Sequence, residues 1–229
     1  MKNWKLTRTI TLGILIIVIV CIGLLYVMAN TTINSMMKQS EHNQVDTNLL
    51  ARTSLIEQYI TNQESLLVSF SKAPVVRELL KDVHNSEKQA IAQVYTESYF
   101  AGLDNWEGIY IGEWNTHCIT HSNASNVGRT WRKEGDSLKQ LQDSMKNGLY
   151  NAGIIVSPAN GQLILSMYCP VYDTDGTTIV GYVGGGPFAE SLKNILNKLK
   201  REEETARYYM INVMTGKYIF ADDETLIAQ

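Results

Sequence analysis

Residues 31–72 contain neither proline nor glycine. Helix breakers are therefore missing over a stretch that, as a helix, would be about 60 Å long. Acidic residues are absent before position 30, where Lys2, Lys5 and Arg8 supply the only charge. All 23 Asp and Glu follow, so the rest of the chain is more acidic than the whole, whose net charge is −3. An acidic remainder argues against nucleic acid as a partner. Cysteine is scarce. Cys21 lies in an apolar run, and Cys118 and Cys169 alone do not make a disulfide framework, so two strand thiols are expected. No Gly-x-Ser-x-Gly elbow and no helical zinc motif occurs, and no catalytic set is expected. The Gly184-Gly185-Gly186 run lacks a following Lys-Ser/Thr, and Pro187 removes a donor, so it reads as a tight strand exit or bulge rather than a phosphate loop.

What is present is one uncharged run, Ile10 to Ala29. Its twenty residues match the length a helix needs to cross a hydrocarbon core of about 30 Å. Basic residues before it place the N-terminus, residues 1–9, in the cytoplasm and residues 31–229 outside. The alternative is a signal peptide clipped after Ala29, but the run is longer than the usual apolar region of about 7–15 residues. A retained transmembrane helix over 10–29 is expected.

Within 31–72, Leu49, Ile56, Ile60, Leu67 and Phe70 recur with spacings of three and four, and Thr53 and Gln63 fill the same seam. They share one helical face. A helix this long should run beside more than one layer of structure or along a second copy of itself. Pro74 ends it. Short helices are expected over 75–82 and from Ser86 to near Gly102, with Ser86 and Gln89 as a capping box. A hairpin over 108–114 and 117–121 turns at Asn115. A helix over 136–146, strands over 149–157, 163–172 and 178–186, and a helix over 188–204 follow. A last hairpin, 208–213 with 217–220, either joins this sheet or opens a second small module. The fold class is α+β, a five-stranded antiparallel sheet with helices on one face.

The strand pair IYIGEWNTHCITHSN (109–123), the segment YNAGIIVSPANGQLILSMYCPVYDTDG (150–176) and VGYVGGGPF (180–188) resemble the extracytoplasmic Cache family of bacterial sensors, whose fold is PAS-like. YYMINVMTGKYIFADDETLI (208–227) resembles the start of a membrane-proximal Cache module. The resemblance implies a membrane-distal sensor module over 75–205, the beginning of a second module over 206–229, and a chain that stops short of its output domain. It implies the ligand-binding region of a methyl-accepting chemotaxis receptor, or of a histidine kinase or diguanylate cyclase, paired as a homodimer through the long helix. A stand-alone membrane-anchored binding or adaptor protein is the alternative. The amino-acid-binding branch carries Arg-x-Trp-Tyr after the second strand and an Asp on the last. Here Arg129 and Trp131 fit, Arg132 stands in place of Tyr, and glycines stand where the Asp would fall.

Arg129, Trp131 and Arg132 are therefore expected to clamp a small extracellular solute of anionic character, since guanidinium forks bind carboxylates at two points and no acid is expected nearby. Tyr168 and Tyr182 are expected on the pocket floor among Tyr110, Trp114 and Tyr150. His117 and His121, four apart on a strand, should share a face with each other and with Glu113. His121 is placed at the pocket edge. No metal and no cofactor is expected.

Overall fold

A computed structural model describes residues 2–198, 209–211, 213, 216, 218–221 and 226. The chain divides into two compact units, residues 1–51 and 52–229. Both contain part of one continuous helix, α1 (Lys2–Ser71). In the first unit the side chains of the 10–29 run are exposed almost throughout. This is the one helix among the described residues long and apolar enough to cross a membrane.

In the second unit α1 is followed by α2 (Pro74–Leu80) and α3 (Ser86–Ala101). Pro74 takes the first helical position of α2, where its missing N–H costs nothing. Asn85, not Ser86, caps α3: its side chain accepts from Glu87 N and Lys88 N, both at 3.1 Å. Ser86 is already helical, so the expected capping box does not form. Gln89 instead donates to Ile119 O at 3.1 Å.

Five antiparallel strands follow: β1 (Trp106–Gly112), β2 (Cys118–His121), β3 (Tyr150–Val156), β4 (Leu163–Tyr172) and β5 (Ile179–Pro187). They lie in the order β2-β1-β5-β4-β3. A helix, α4 (Asp136–Met145), intervenes between β2 and β3, and α5 (Ala189–Lys198) follows β5. The sequence-based helix over 188–204 extends past Lys198 into residues outside those described. Met210–Ile211 (β6) and Tyr218–Phe220 (β7) pair as a separate two-stranded sheet.

Strand alternation sorts side chains onto two faces. Ile109 and Ile111 of β1, Leu165, Met167, Cys169 and Val171 of β4, and Val183 of β5 meet Leu67 and Phe70 of α1, Val76 and Leu79 of α2, and Ala92 of α3 in the main core. Phe70 stacks on Tyr95 at 5.6 Å between ring centroids. Ile60 also packs here, and Gln63 Oε1 accepts from Trp106 Nε1 at 2.7 Å. Ile56 packs instead with Leu192 and Leu196 of α5 and with Met210 and Ile219 of the second sheet. The apolar seam from Ile56 to Phe70 thus serves two layers.

The helices do not all lie on one face. Leu141 and Met145 of α4 pack on the opposite side, against Tyr182 with Tyr110, Trp114, Tyr150 and Tyr168. Amphipathic rings suit a layer that meets a cavity, because each carries a polar tip on an apolar body.

Candidate functional site

That second face holds a cavity of about 380 Å³. Tyr110, Tyr168, Tyr182 and His121 come from four different strands or their partners in register. Tyr110 stacks on His121 at 5.5 Å and meets Tyr182 edge-on at 5.8 Å. Tyr168 bridges Tyr182, at 6.3 Å, and Tyr150, at 6.2 Å.

The glycines of β1 and β5 make this layer possible. A Cβ on Gly184 would stand 2.4 Å from Tyr110 Cζ, and one on Gly112 would stand 2.6 Å from Tyr182 Cε1. Each ring lies across a neighbouring strand's glycine. Gly186 allows still closer contact, since a Cβ there would stand 1.7 Å from Leu165 O. The Gly184–Gly186 run is thus close strand packing, with the Tyr110 ring lying over Gly184.

The wall is the segment 128–132, which runs along β2 as an irregular extra strand. Cys118 N donates to Arg129 O and Gly128 N to Cys118 O, each at 2.8 Å. Thr116 locks its end. Its hydroxyl donates to Arg132 O at 3.0 Å and accepts from Arg132 N at 2.9 Å. Thr116 is fully buried and holds φ at +69°, a conformation that costs a β-branched residue about 1–3 kcal/mol. That strain sits where the wall is fastened.

Trp131 and Arg132 line the cavity. Arg132 Nη1 donates to Ser137 O at 3.0 Å and to Ser137 Oγ at 2.9 Å, which orients the guanidinium. Arg129 does not line it; its side chain is exposed. Five of the six residues expected from the sequence are therefore gathered around one space.

The histidine pair is not gathered. β2 carries a bulge: Ile111 pairs with Thr120, but Gly112 pairs with Cys118. The extra residue, Ile119, breaks the alternation, so His117 and His121 do not share a face. His117 lies outside the strand and bridges Thr130 at the wall. Among the described residues no three His, Cys, Asp or Glu converge on a point that could hold a metal ion.

His121 is buried, and its Nδ1 accepts from Asn123 N at 2.8 Å. Burial, with Arg129 nearby, pushes its pKa down to about 4. Its Nε2 lies 3.4 Å from Asn126 Nδ2. Burial likewise pushes the Tyr110 and Tyr182 phenols well up and the Cys118 thiol up to about 12, so all three stay protonated.

An acid does line the cavity, contrary to the expectation from the sequence. Glu107 of β1 reaches it and accepts from Ser157 Oγ at 3.0 Å, and burial raises its pKa. The signal was a lone carboxylate inside an otherwise apolar strand, WEGIYIG. Trp131 Nε1, at this space, is buried with no hydrogen-bond partner among the described residues, and the buried Tyr182 phenol has only the neighbouring Tyr110 phenol beside it. Buried polar groups are satisfied in the great majority of cases. The Trp131 N–H is thus a donor left available at the cavity.

No protein-family model matches the chain. No curated protein matches it either. Solved structures do. The sensor domain of the Vibrio cholerae histidine kinase DctB superposes with a TM-score of 0.66 at 15% identity, over 82% of this chain and 69% of that one. The ligand-binding domain of the Pseudomonas aeruginosa amino acid chemoreceptor PctC, in complex with GABA, gives 0.55 at 18% identity, over 81% and 78%. That of the Pseudomonas fluorescens chemoreceptor CtaA, in complex with L-isoleucine, gives 0.50 at 16% identity, over 77% and 66%. At these identities the likeness is one of fold: the chain has the Cache-type sensor-domain fold that its strand segments resemble.

Proposed function

We propose that this chain is the small-molecule sensing region of a membrane-anchored bacterial receptor, with residues 10–29 in the bilayer and residues 31–229 outside the cytoplasm. Residues 75–205 form the sensor module, 206–229 belong to a second module, and 31–72 form the signalling helix through which two copies pair. The observation that carries it is the cavity, with the buried, unpartnered Trp131 Nε1 and the Tyr182 phenol in its wall. DctB and the two chemoreceptors share the architecture, and the PctC and CtaA domains hold GABA and L-isoleucine. The ligand's acceptor end, a carboxylate or another anion, faces Arg132, Trp131 Nε1 and Tyr182 Oη. Its other end meets Glu107, which suits a hydrogen-bond donor.

A signal would cross the sheet through adjacent residues. Tyr182 faces the cavity, and its neighbour Val183 packs in the core that contains Leu67 and Phe70 of α1. A ligand that favours one packing of that core biases the helix.

Thermal-shift titration of the full chain in detergent against amino acids, organic acids and amines tests the proposal. A ligand at 100 times its Kd adds about 2.7 kcal/mol of stability by mass action. Arg132→Gln should abolish the shift. A panel with no active member, or a shift indifferent to that change, overturns the site. A maleimide that cannot cross membranes should label a cysteine placed at position 125 in intact cells; labelling only after lysis overturns the topology.

A further inference from the structure

A second cavity, of about 430 Å³, lies on the other side of the sheet at the end of α1. Val68 and Ser71 at the end of α1, with Lys72 directly after it, form one wall, Arg77 of α2 a second, and Leu149, Pro170 and Tyr172 much of the rest. We propose that this cavity binds a small organic anion, its charged head on Arg77 and Lys72 and its apolar body against Val68, Leu149 and Pro170. The proposal is independent of the function assigned to the aromatic cavity.

Three observations carry it. First, Arg77 Nε is buried with no hydrogen-bond partner among the described residues. A guanidinium is always charged and its N–H groups form a fork that fits carboxylate or phosphate oxygens, so an unpaired buried member of that fork points to an absent acceptor. Second, the cavity is positive. Asp173 is the one acid among its lining residues, and Lys81 holds that carboxylate at 2.9 Å while Thr174 N donates to it at 2.7 Å. Lys72 adds a second cation on the α1 side. Third, the space is many times that of a single water, about 30 Å³, and much of its wall is aliphatic or aromatic. A bare inorganic ion would leave that wall unused.

The position gives the site a role. None of the residues lining the aromatic cavity belongs to α1, whereas Val68 and Ser71 of α1 line this one, with Lys72 directly after them. An anion here would tie the end of α1 directly to α2 and β4.

The test uses the full chain in detergent, titrated with benzoate and with phenyl phosphate at constant ionic strength against chloride, read by thermal shift and by amide hydrogen exchange over residues 66–72. At least one probe should raise the melting temperature and slow exchange in that segment. A response to benzoate alone assigns a carboxylate ligand, and a response to phenyl phosphate alone assigns a phosphate monoester. Arg77→Gln should weaken the responding probe at least tenfold. Lys72→Gln should weaken it several-fold and, because Lys72 is exposed, keeps the test open if Arg77→Gln does not fold. Arg132→Gln, in the other cavity, should leave the response in place. The proposal is overturned if neither probe exceeds chloride, if the response survives both the Arg77 and Lys72 changes, or if it is lost only with Arg132→Gln.

Discussion

Tyr168 and Cys169 stand side by side on β4 and face opposite sides of the sheet. The phenol lines the aromatic cavity, and the thiol donates to Ser71 Oγ on α1 at 3.4 Å. One step along the strand therefore joins the candidate ligand site to the helix that leads toward the apolar segment. Cys169 is buried, and burial raises its pKa; Cys118, on the cavity face, is pushed up to about 12. Thiolate is the reactive form. In a Cys21→Ser background, neither thiol should react with a disulfide reagent at pH 8 until the protein is unfolded. Rapid labelling of the native protein would contradict the burial of both.

Gly184 should not tolerate a side chain. Its added Cβ would meet the Tyr110 ring, which is itself held between His121 and Tyr182. Gly184→Ala should cost about 1–3 kcal/mol, the usual effect of overpacking, and lower the urea midpoint at unchanged slope. Gly161, in the turn between β3 and β4, has open space around its Cβ but a φ of +78°, so an alanine there should cost less and through the backbone alone.

His121 should make the fold acid-sensitive. Its folded pKa of about 4 lies below the value of about 6.5 expected in the unfolded chain. The unfolded state therefore binds the extra proton between these values. The contribution is complete above about pH 6.5 and is lost as pH falls toward 4, amounting to about 3 kcal/mol. His121→Gln should flatten that part of the stability profile, and an NMR titration of the His121 ring should give a midpoint well below 6.

Glu107 works in the opposite sense. Burial raises its folded pKa, so the folded state holds its proton longer than the unfolded state does. Its contribution falls as pH rises from the unfolded carboxyl range through the folded value. Denaturant unfolding of Glu107→Gln should show a gain over the parent chain that grows from pH 4 upward. An equal pH profile for the two proteins would mean that the carboxylate is solvated in the fold.

The two candidate caps of α3 give opposite expectations. Asn85→Ala should cost about 1 kcal/mol, because the side chain satisfies two amides. Ser86→Ala should change little, since Ser86 occupies the first turn rather than the cap. The reverse order would restore the capping box that the motif suggested.

Local patterns were legible in the chain because they are set by near neighbours. The charge-free run, the helix seam with its stop at Pro74, and the β4 strand, Leu163–Tyr172, follow from hydropathy, periodicity and backbone restriction within a few residues. The antiparallel order could be anticipated from turn sequences such as Asn160-Gly161. Tyr168, Tyr182, Trp131 and Arg132 also stood out, by residue type and by resemblance. Tertiary structure decided the rest. The bulge at Ile119 separates His117 from His121, and no local signal announces one extra residue in a ladder formed with β1. Glu107 meets Ser157 across fifty positions of chain, so an acid enters a cavity that the sequence left without one. α4 covers the face opposite α1–α3 because the aromatic layer there needs an apolar partner in Leu141 and Met145. Periodicity tells which side of an element is apolar. Only long-range pairing fixes which other element that side meets, and both cavities are made of such meetings.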